Sequence, residues 1–235
     1  MELAIKIRSA IREAAKNSSQ KDADFVQKYL GTKRMFICVK SADRDKIIRK
    51  YSGELKNLDP KEAITVLNQL FASDTFEDIN FAGKILTKLP NVRAELSLDQ
   101  IRKWILKTSG WAECDGIVQS LFTGKEILER MDEWQKSIPK FSSNKNIQLR
   151  RASLVIQCKP NREVSDPRMR KLAFETIEKL KSEKEILITK AISWLLRDLS
   201  RQNKEEVKEY LQKNKSTLPT IAYRETMKKI ETGKK

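Results

Sequence analysis

A tryptophan and an aspartate four residues apart are the side chains of this chain best suited to chemistry. They are Trp111 and Asp115, in the segment SGWAECD. If the segment is helical, residues at this spacing share one face, so a carboxylate would lie beside an indole. Asp115 then falls at the edge of an apolar stripe, where it could be catalytic. It could equally be a first-turn acid that the helix dipole favours, and the pattern alone leaves both interpretations open.

A second tryptophan lies off the apolar stripe of its own predicted helix. Trp194 points away from the stripe, while Lys190 and Arg197 fall on its side of the helix. An indole flanked by cations suits contact with a nucleotide. The alternative is that Trp194 packs against a neighbouring helix, whereas Trp104 and Trp134 are interpreted as structural. The stripe itself consists of Leu187, Ile188, Ala191, Leu195 and Leu199.

Tandem arginines interrupt the otherwise apolar segment NIQLRRASLVIQ. Arg151 falls on the more buried side and could offer its planar guanidinium to a phosphate or to Asp115. A plain surface charge is the alternative for both Arg150 and Arg151. Three further cations near the second predicted helix are weaker candidates for DNA contact: Lys33, Arg34 and Lys40.

The charge balance predicts a polyanionic partner. The 235 residues include 48 Lys and Arg, 32 Asp and Glu and no His, which gives a formal net charge of +16. Nucleic acid is favoured over an anionic membrane because the basic residues are spread along the chain. No apolar run approaches the ~18 residues of a membrane span. We therefore expect a cytoplasmic monomer without a cofactor, nucleoid-associated if the source is bacterial or archaeal.

The three cysteines are far apart and lie in apolar surroundings. They are Cys38, Cys114 and Cys158. Because the chain has no histidine to complete a zinc site, we predict no metal centre and interpret the cysteines as reduced, partly buried thiols.

Few glycines and prolines, together with apolar residues three and four apart, predict helices throughout and no strand. The predicted spans are 2–16, 20–30, 42–57, 60–72, 75–88, 98–107, 111–122, 124–136, 145–158, 167–181, 183–201, 204–213 and 219–231. Side chains that could cap helix starts are Asp59, Asp74 with Glu77, Ser97 with Gln100, Thr123 with Glu126, Asp166, and Ser182 with Glu185.

Pairs of these helices recur at about forty residues, a period typical of HEAT and armadillo repeats. The prediction is an all-α, HEAT-like or armadillo-type solenoid of about six antiparallel helix pairs, with a concave basic cleft and a single domain over residues 1–235. An irregular helical bundle is the alternative.

Several segments together resemble one family over nearly the whole chain. SGWAECD, RRASLVIQ and KAISWLLRDLSRQN are similar to the motifs of the DNA alkylation repair enzymes of the AlkD type, which are HEAT-like DNA glycosylases. KYLGTKRMFICVKSADRDKIIRKY and TFEDINFAGKIL resemble its N-terminal repeats. The chain departs from the family pattern at Gly110, where a second aromatic residue is common, at Ala112, where an acid is usual, and at Gln148, where a tryptophan is common.

The resemblance implies a role for each matched residue. Asp115 would be the catalytic carboxylate, Trp111 and Trp194 would frame the sugar of the lesion, and Arg151 would contact the DNA backbone. The implied activity is excision of cationic, ring-nitrogen-alkylated purines from duplex DNA in base excision repair. The rival hypotheses are a non-catalytic HEAT-like protein that binds branched or damaged DNA, and a helical scaffold that binds other proteins.

Overall fold

The computed structural model describes residues 2–16, 18, 19, 21 and 23–234. This part of the chain forms sixteen α-helices and no strand, which confirms the predicted all-α class. It has one isolated bridge, between Met35 and Thr75. The chain divides into two compact units, with the boundary between Leu121 and Phe122. The solenoid arrangement and the single domain over residues 1–235 stay predictions.

The first unit is built around a buried central helix. Its helices are α1 (Glu2–Lys16), α2 (Ala23–Leu30), α3 (Ser41–Lys56), α4 (Pro60–Phe71), α5 (Phe76–Leu86), α6 (Pro90–Glu95), α7 (Leu98–Ile105) and α8 (Trp111–Val118). Helix α5 packs against α1, α3, α4 and α8. As the sequence predicts, Trp104 is structural: it is buried, its ring lies 4.3 Å from that of Phe71, and its Nε1 donates to Asn68 Oδ1 at 2.7 Å.

Two glycines let α5 and α8 touch backbone to backbone. A Cβ atom on Gly83 of α5 would lie only 1.8 Å from the carbonyl oxygen of Gly116 in α8. Any larger residue at position 83 would therefore push the helices apart. This close crossing seats the short helix α8, and with it Trp111 and Asp115, on the core of the first unit.

The second unit is also organised around one central helix. Its helices are α9 (Gly124–Leu128), α10 (Met131–Ser142), α11 (Ile147–Val155), α12 (Cys158–Glu163), α13 (Pro167–Leu180), α14 (Ile186–Leu199), α15 (Lys204–Lys213) and α16 (Thr220–Thr232). Helix α14 packs against α11, α12, α13 and α16. Trp134 is buried and meets Phe122 edge-on at 5.3 Å, so its interpretation as a structural residue is confirmed.

Four of the predicted helix caps are confirmed and two are wrong. The side chains of Asp59, Ser97, Thr123 and Asp166 accept backbone N–H bonds at their helix starts, and Thr123 forms a full capping box with Glu126.

The predicted cap at Asp74 with Glu77 fails because the N-cap of α5 is Thr75, which makes no side-chain cap bond. Glu77 turns instead to the backbone N–H groups of Ile37 and Cys38. The predicted cap at Ser182 fails because α14 begins after Glu185, again without a side-chain cap bond.

The described residues form three more helices than predicted. Pro90 begins α6, a helix that the sequence analysis did not predict. The predicted helix over 145–158 ends early, as α11 at Val155, and α12 follows with Pro160 in its first turn, where the missing N–H is tolerated. The predicted helix over 124–136 is two helices, α9 and α10, with Glu129 and Arg130 between them.

Candidate functional site

Trp111 and Asp115 both lie on α8 of the first unit, as the sequence predicts. The helix begins at Trp111 and ends at Val118. Asp115 is only 6% exposed, whereas the Trp111 ring is partly exposed. The carbonyl oxygen of Asp115 accepts a bond from the N–H of Gln119 at 2.8 Å, which closes the last turn of the helix.

The Trp111 ring is fixed by the end of α2. Its Nε1 donates to the carbonyl oxygen of Tyr29 at 3.0 Å, and the Tyr29 ring meets it edge-on at 5.9 Å with an interplanar angle of 88°. Because this bond uses the only polar hydrogen of the indole, the ring can offer other molecules only its face and its carbon edge. A π face attracts positive charge.

The backbone contact beside Trp111 explains one departure from the family pattern. Gly31 has a φ of 67°, a conformation that glycine adopts easily. A Cβ atom on Gly110 would lie 2.1 Å from the carbonyl oxygen of Gly31. The aromatic residue that is common in the family at position 110 therefore has no room here.

Glu113 is a buried acid that the sequence analysis missed. Its side chain is fully buried and accepts bonds from Ser109 N at 2.9 Å, Ser109 Oγ at 2.7 Å, Arg34 Nε at 3.1 Å and the hydroxyl of Thr32. One feature of the sequence could have identified it. The family usually has an acidic residue where this chain has Ala112, and the next residue, Glu113, is acidic.

Arg34, a predicted DNA contact, makes structural contacts in this fold. Besides Glu113, its guanidinium donates to the carbonyl oxygens of Ser73 and Lys107, the latter at 2.5 Å. Its side chain is 15% exposed. These bonds occupy three of the five N–H donors of the guanidinium. The contact of Arg34 with DNA stays a prediction.

Lys33 and Lys40 are exposed. They flank a segment whose backbone is bonded to a second buried acid, Glu77. Glu77 accepts bonds from the N–H of Ile37 at 3.1 Å and from that of Cys38 at 2.9 Å. Burial raises the pKa of Glu77, and these backbone hydrogen bonds oppose the rise. The DNA contacts predicted for the two lysines stay predictions.

In the second unit, α14 carries Trp194, Lys190 and Arg197. Trp194 is partly exposed and Lys190 is exposed, which suits the predicted contact with a nucleotide. Arg197 is paired with Glu225 and also donates to the hydroxyl of Ser193. Although burial acts to raise the pKa of Glu225, the Ser193 hydroxyl and the Arg197 charge outweigh it and lower that pKa.

Asp198, four residues after Trp194, repeats the spacing of Trp111 and Asp115. It is 4% exposed, and its carboxylate lies 3.5 Å from the Arg162 guanidinium and 3.8 Å from Arg201 Nε. Burial raises the pKa of Asp198, while Arg162, Arg201 and the Trp194 indole oppose the rise. The sequence analysis missed this acid, although the repeated spacing could have drawn attention to it.

The tandem arginines on α11 have different surroundings. Arg150 forms a two-pronged pair with Glu183, at 2.7 and 3.2 Å, and donates to the carbonyl oxygens of Asn144 and Lys145. Arg151 is 6% exposed and donates to the carbonyl oxygen of Leu187 at 2.6 Å. As the sequence predicts, Arg151 is the more buried of the two. The predicted contacts of Arg150 and Arg151 with DNA, and of Arg151 with Asp115, stay predictions.

Comparison with known proteins identifies the family. The family model described as DNA alkylation repair enzyme matches residues 10–230. The chain belongs to the DNA alkylation repair enzyme family.

Solved structures share the fold of this DNA alkylation repair family member. One is a "Predicted DNA alkylation repair enzyme from Enterococcus faecalis", at 19% identity and a TM-score of 0.72, with 92% of this chain and 97% of that chain covered. Another is smu.31 from Streptococcus mutans UA159, at 17% identity and a TM-score of 0.56, with 79% and 96% covered. No curated protein is significantly similar to the chain.

Three further observations concern the described part of this family member. Its helices include none that is long and apolar enough to cross a membrane. The same residues contain no cluster of three or more acidic or cysteine side chains arranged to hold a metal ion. The site residues that the family resemblance predicts are divided between the two units. Trp111 and Asp115 lie in the first unit, and Arg151 and Trp194 lie in the second.

Proposed function

We propose that this member of the DNA alkylation repair family is a DNA glycosylase that excises cationic, ring-nitrogen-alkylated purines from duplex DNA. The observation that carries the proposal is the pair on α8, where a nearly buried carboxylate, Asp115, lies one helical turn from an indole, Trp111, whose N–H is already bonded. The family description supports DNA repair, and the net charge of +16 supports DNA as the partner.

The proposed reaction needs a carboxylate and few other groups. When the bond between C1′ and the ring nitrogen breaks, its electron pair goes to the cationic base, which leaves as a neutral molecule. Because the base needs no protonation, the absence of histidine is no obstacle. The sugar acquires oxocarbenium character, which an ionised Asp115 stabilises. Water then adds to C1′ and gives its proton to the Asp115 carboxylate.

The indoles assist by stabilising positive charge. The π face of Trp111 attracts a cation with about 0.5 to 2 kcal/mol, whether the charge is on the alkylated base or on the developing sugar cation. Its contact with Tyr29 holds the ring in one orientation before DNA arrives. In the second unit, Trp194 offers its partly exposed ring to DNA in the same way.

Lysines supply the first attraction to the DNA backbone. Lys33, Lys40 and Lys190 are exposed, so each can approach a phosphate from the solvent. Arg150 and Arg197 are held by Glu183 and Glu225, and in this proposal they contact phosphates through the edges that these pairs leave accessible. DNA binding should therefore weaken steeply as salt is added. In this proposal the protein acts as a monomer in the cytoplasm and needs no cofactor.

An excision assay tests the proposal directly. A duplex oligonucleotide with one N7-alkylated guanine is incubated with the wild-type chain and with Asp115→Asn, and released base and bound DNA are both measured. We expect release by the wild type, at least about 100-fold slower release by the variant, and unchanged DNA affinity. Equal release by both proteins contradicts the role of Asp115.

The rival function is DNA binding without catalysis. The exposed lysines and the net charge are as consistent with a passive DNA binder as with a glycosylase. It predicts salt-dependent binding and no base release from any alkylated duplex. That result in the same assay would replace the glycosylase proposal with the rival.

A further inference from the structure

We propose that Glu113 is a positioning residue, which fixes the Trp111 indole beside Asp115 through a hydrogen-bonded cluster with Thr32, Arg34 and Ser109. This positioning role rests on the proposed function, because it serves the chemistry proposed for Trp111 and Asp115. Its geometry is independent of that function, because it consists of contacts within the first unit.

Both oxygens of the Glu113 carboxylate are used. Oε1 accepts from the hydroxyls of Ser109, at 2.7 Å, and Thr32. Oε2 accepts from the backbone N–H of Ser109, at 2.9 Å, and from Arg34 Nε, at 3.1 Å. One fully buried carboxylate thus ties the start of α8 to the segment that follows α2.

Arg34 extends the cluster to one more segment and to a second residue of the loop between α7 and α8. It donates to the carbonyl oxygens of Ser73, before α5, and Lys107, after α7. Burying a carboxylate is unfavourable unless such partners compensate for the lost water. An apolar side chain at position 113 could fill the space, but it could not hold these three segments in register.

The held segments are those that orient Trp111. The indole N–H bonds to the carbonyl oxygen of Tyr29, which lies three residues before Thr32. Between them, the backbones of Gly31 and Gly110 are in such close contact that a Cβ on Gly110 would lie 2.1 Å from the oxygen of Gly31. If Glu113 no longer binds Thr32 and Ser109, the segments that carry the Tyr29 carbonyl and the Trp111 ring are no longer held in place relative to each other.

Glu77 provides a matched control in the same unit. It is also nearly fully buried and also holds a loop by backbone N–H groups, those of Ile37 and Cys38. None of its hydrogen bonds within the described part of the chain reaches Thr32, Ser109 or Trp111. Each acid can be replaced by the isosteric amide.

The test compares Glu113→Gln with Glu77→Gln by ¹H–¹⁵N spectroscopy of the four tryptophan indoles. The Trp111 signal is assigned from its loss in Trp111→Phe. We expect Glu113→Gln to shift or broaden the Trp111 signal and to slow single-turnover base release about 10-fold, with DNA affinity within about 3-fold of wild type. Glu77→Gln should leave the Trp111 signal in place and the rate within about 3-fold.

An unchanged Trp111 signal in folded Glu113→Gln overturns the positioning role. If that variant does not fold, Thr32→Val removes the Thr32 hydroxyl, which donates to Glu113 and accepts from the backbone N–H of Arg34 at 3.1 Å. It should move the same signal by a smaller amount, and an unchanged signal there overturns the role equally. Because the indole spectrum needs no substrate, it decides the positioning role even if the wild type releases no base. Absence of release would count against the glycosylase proposal alone.

Discussion

Helices α8 and α14 carry the same spacing of tryptophan and aspartate in two different environments. On α8, the Trp111 indole bonds to a backbone carbonyl of another segment, and a separate acid, Glu113, holds the local structure. On α14, the acid of the pair, Asp198, is itself surrounded by Arg162 and Arg201.

The comparison shows that spacing alone does not identify a catalytic acid. Asp198 has cations close to its carboxylate, which suits a structural acid on a buried helix face. In the first unit it is Glu113 that binds the Arg34 guanidinium, and we propose the catalytic role for Asp115. The function of two residues that lie one helical turn apart therefore depends on the groups around them.

The largest expected effect concerns how α8 is seated. Gly83→Ala would place a Cβ 1.8 Å from the Gly116 carbonyl oxygen, so we expect it to lower the free energy of unfolding by about 3 kcal/mol. Gly53→Ala on α3 is the control, because its Cβ meets nothing within 4 Å and should stabilise the protein by about 0.5 to 1 kcal/mol. Chemical denaturation of both variants measures the difference. Similar stabilities would mean that α5 and α8 are not locked by this crossing.

A smaller effect is expected from removing the indoles one at a time. Trp111→Ala should slow single-turnover base release about 10-fold, which corresponds to a barrier higher by about 1.4 kcal/mol. Trp111→Phe keeps a π face and should lose less. Trp194→Ala tests the second unit in the same assay. A rate for Trp111→Ala equal to that of wild type would show that the ring does not stabilise the reacting charge.

The smallest effect is a pH dependence of stability in the second unit. Because burial raises the pKa of Asp198 above 3.8, the folded protein binds this proton at a pH where the unfolded chain does not. The wild type should therefore gain stability relative to Asp198→Asn as the pH falls from 7 toward 4.

Glu225 should show the opposite slope. Its pKa lies below 4.5, so its contribution is present at neutral pH and is lost as the pH falls through the lowered pKa. Urea titrations of Asp198→Asn and Glu225→Gln at several pH values measure both slopes. Two slopes of the same sign would contradict the assigned environments.

Much of the fold could be predicted because helix signals are local. The caps at Asp59, Ser97, Thr123 and Asp166 depend on residues within three positions, and all four are correct. The cap at Asp74 is wrong because Glu77 bonds to Ile37 and Cys38, forty residues earlier in the chain. A contact of that range leaves no periodic signal in the sequence.

The candidate site could be predicted only in part for the same reason. The family resemblance points to Trp111 and Asp115, and their placement on one helix follows from spacing. The engagement of Arg34 by Glu113, 79 positions away, needs the three-dimensional structure. The pairing of Arg197 with Glu225 is also nonlocal, so charge patterns in the sequence could not separate exposed lysines from arginines held by acids.

Single-turnover base release by Asp115→Asn and Asp198→Asn, measured side by side on the same alkylated duplex, tests the central claim most directly. We predict that Asp115→Asn is slower than wild type by about 100-fold or more and that Asp198→Asn loses less than about 10-fold. Equal losses, or a larger loss for Asp198→Asn, would contradict the assignment of catalysis to the acid on α8.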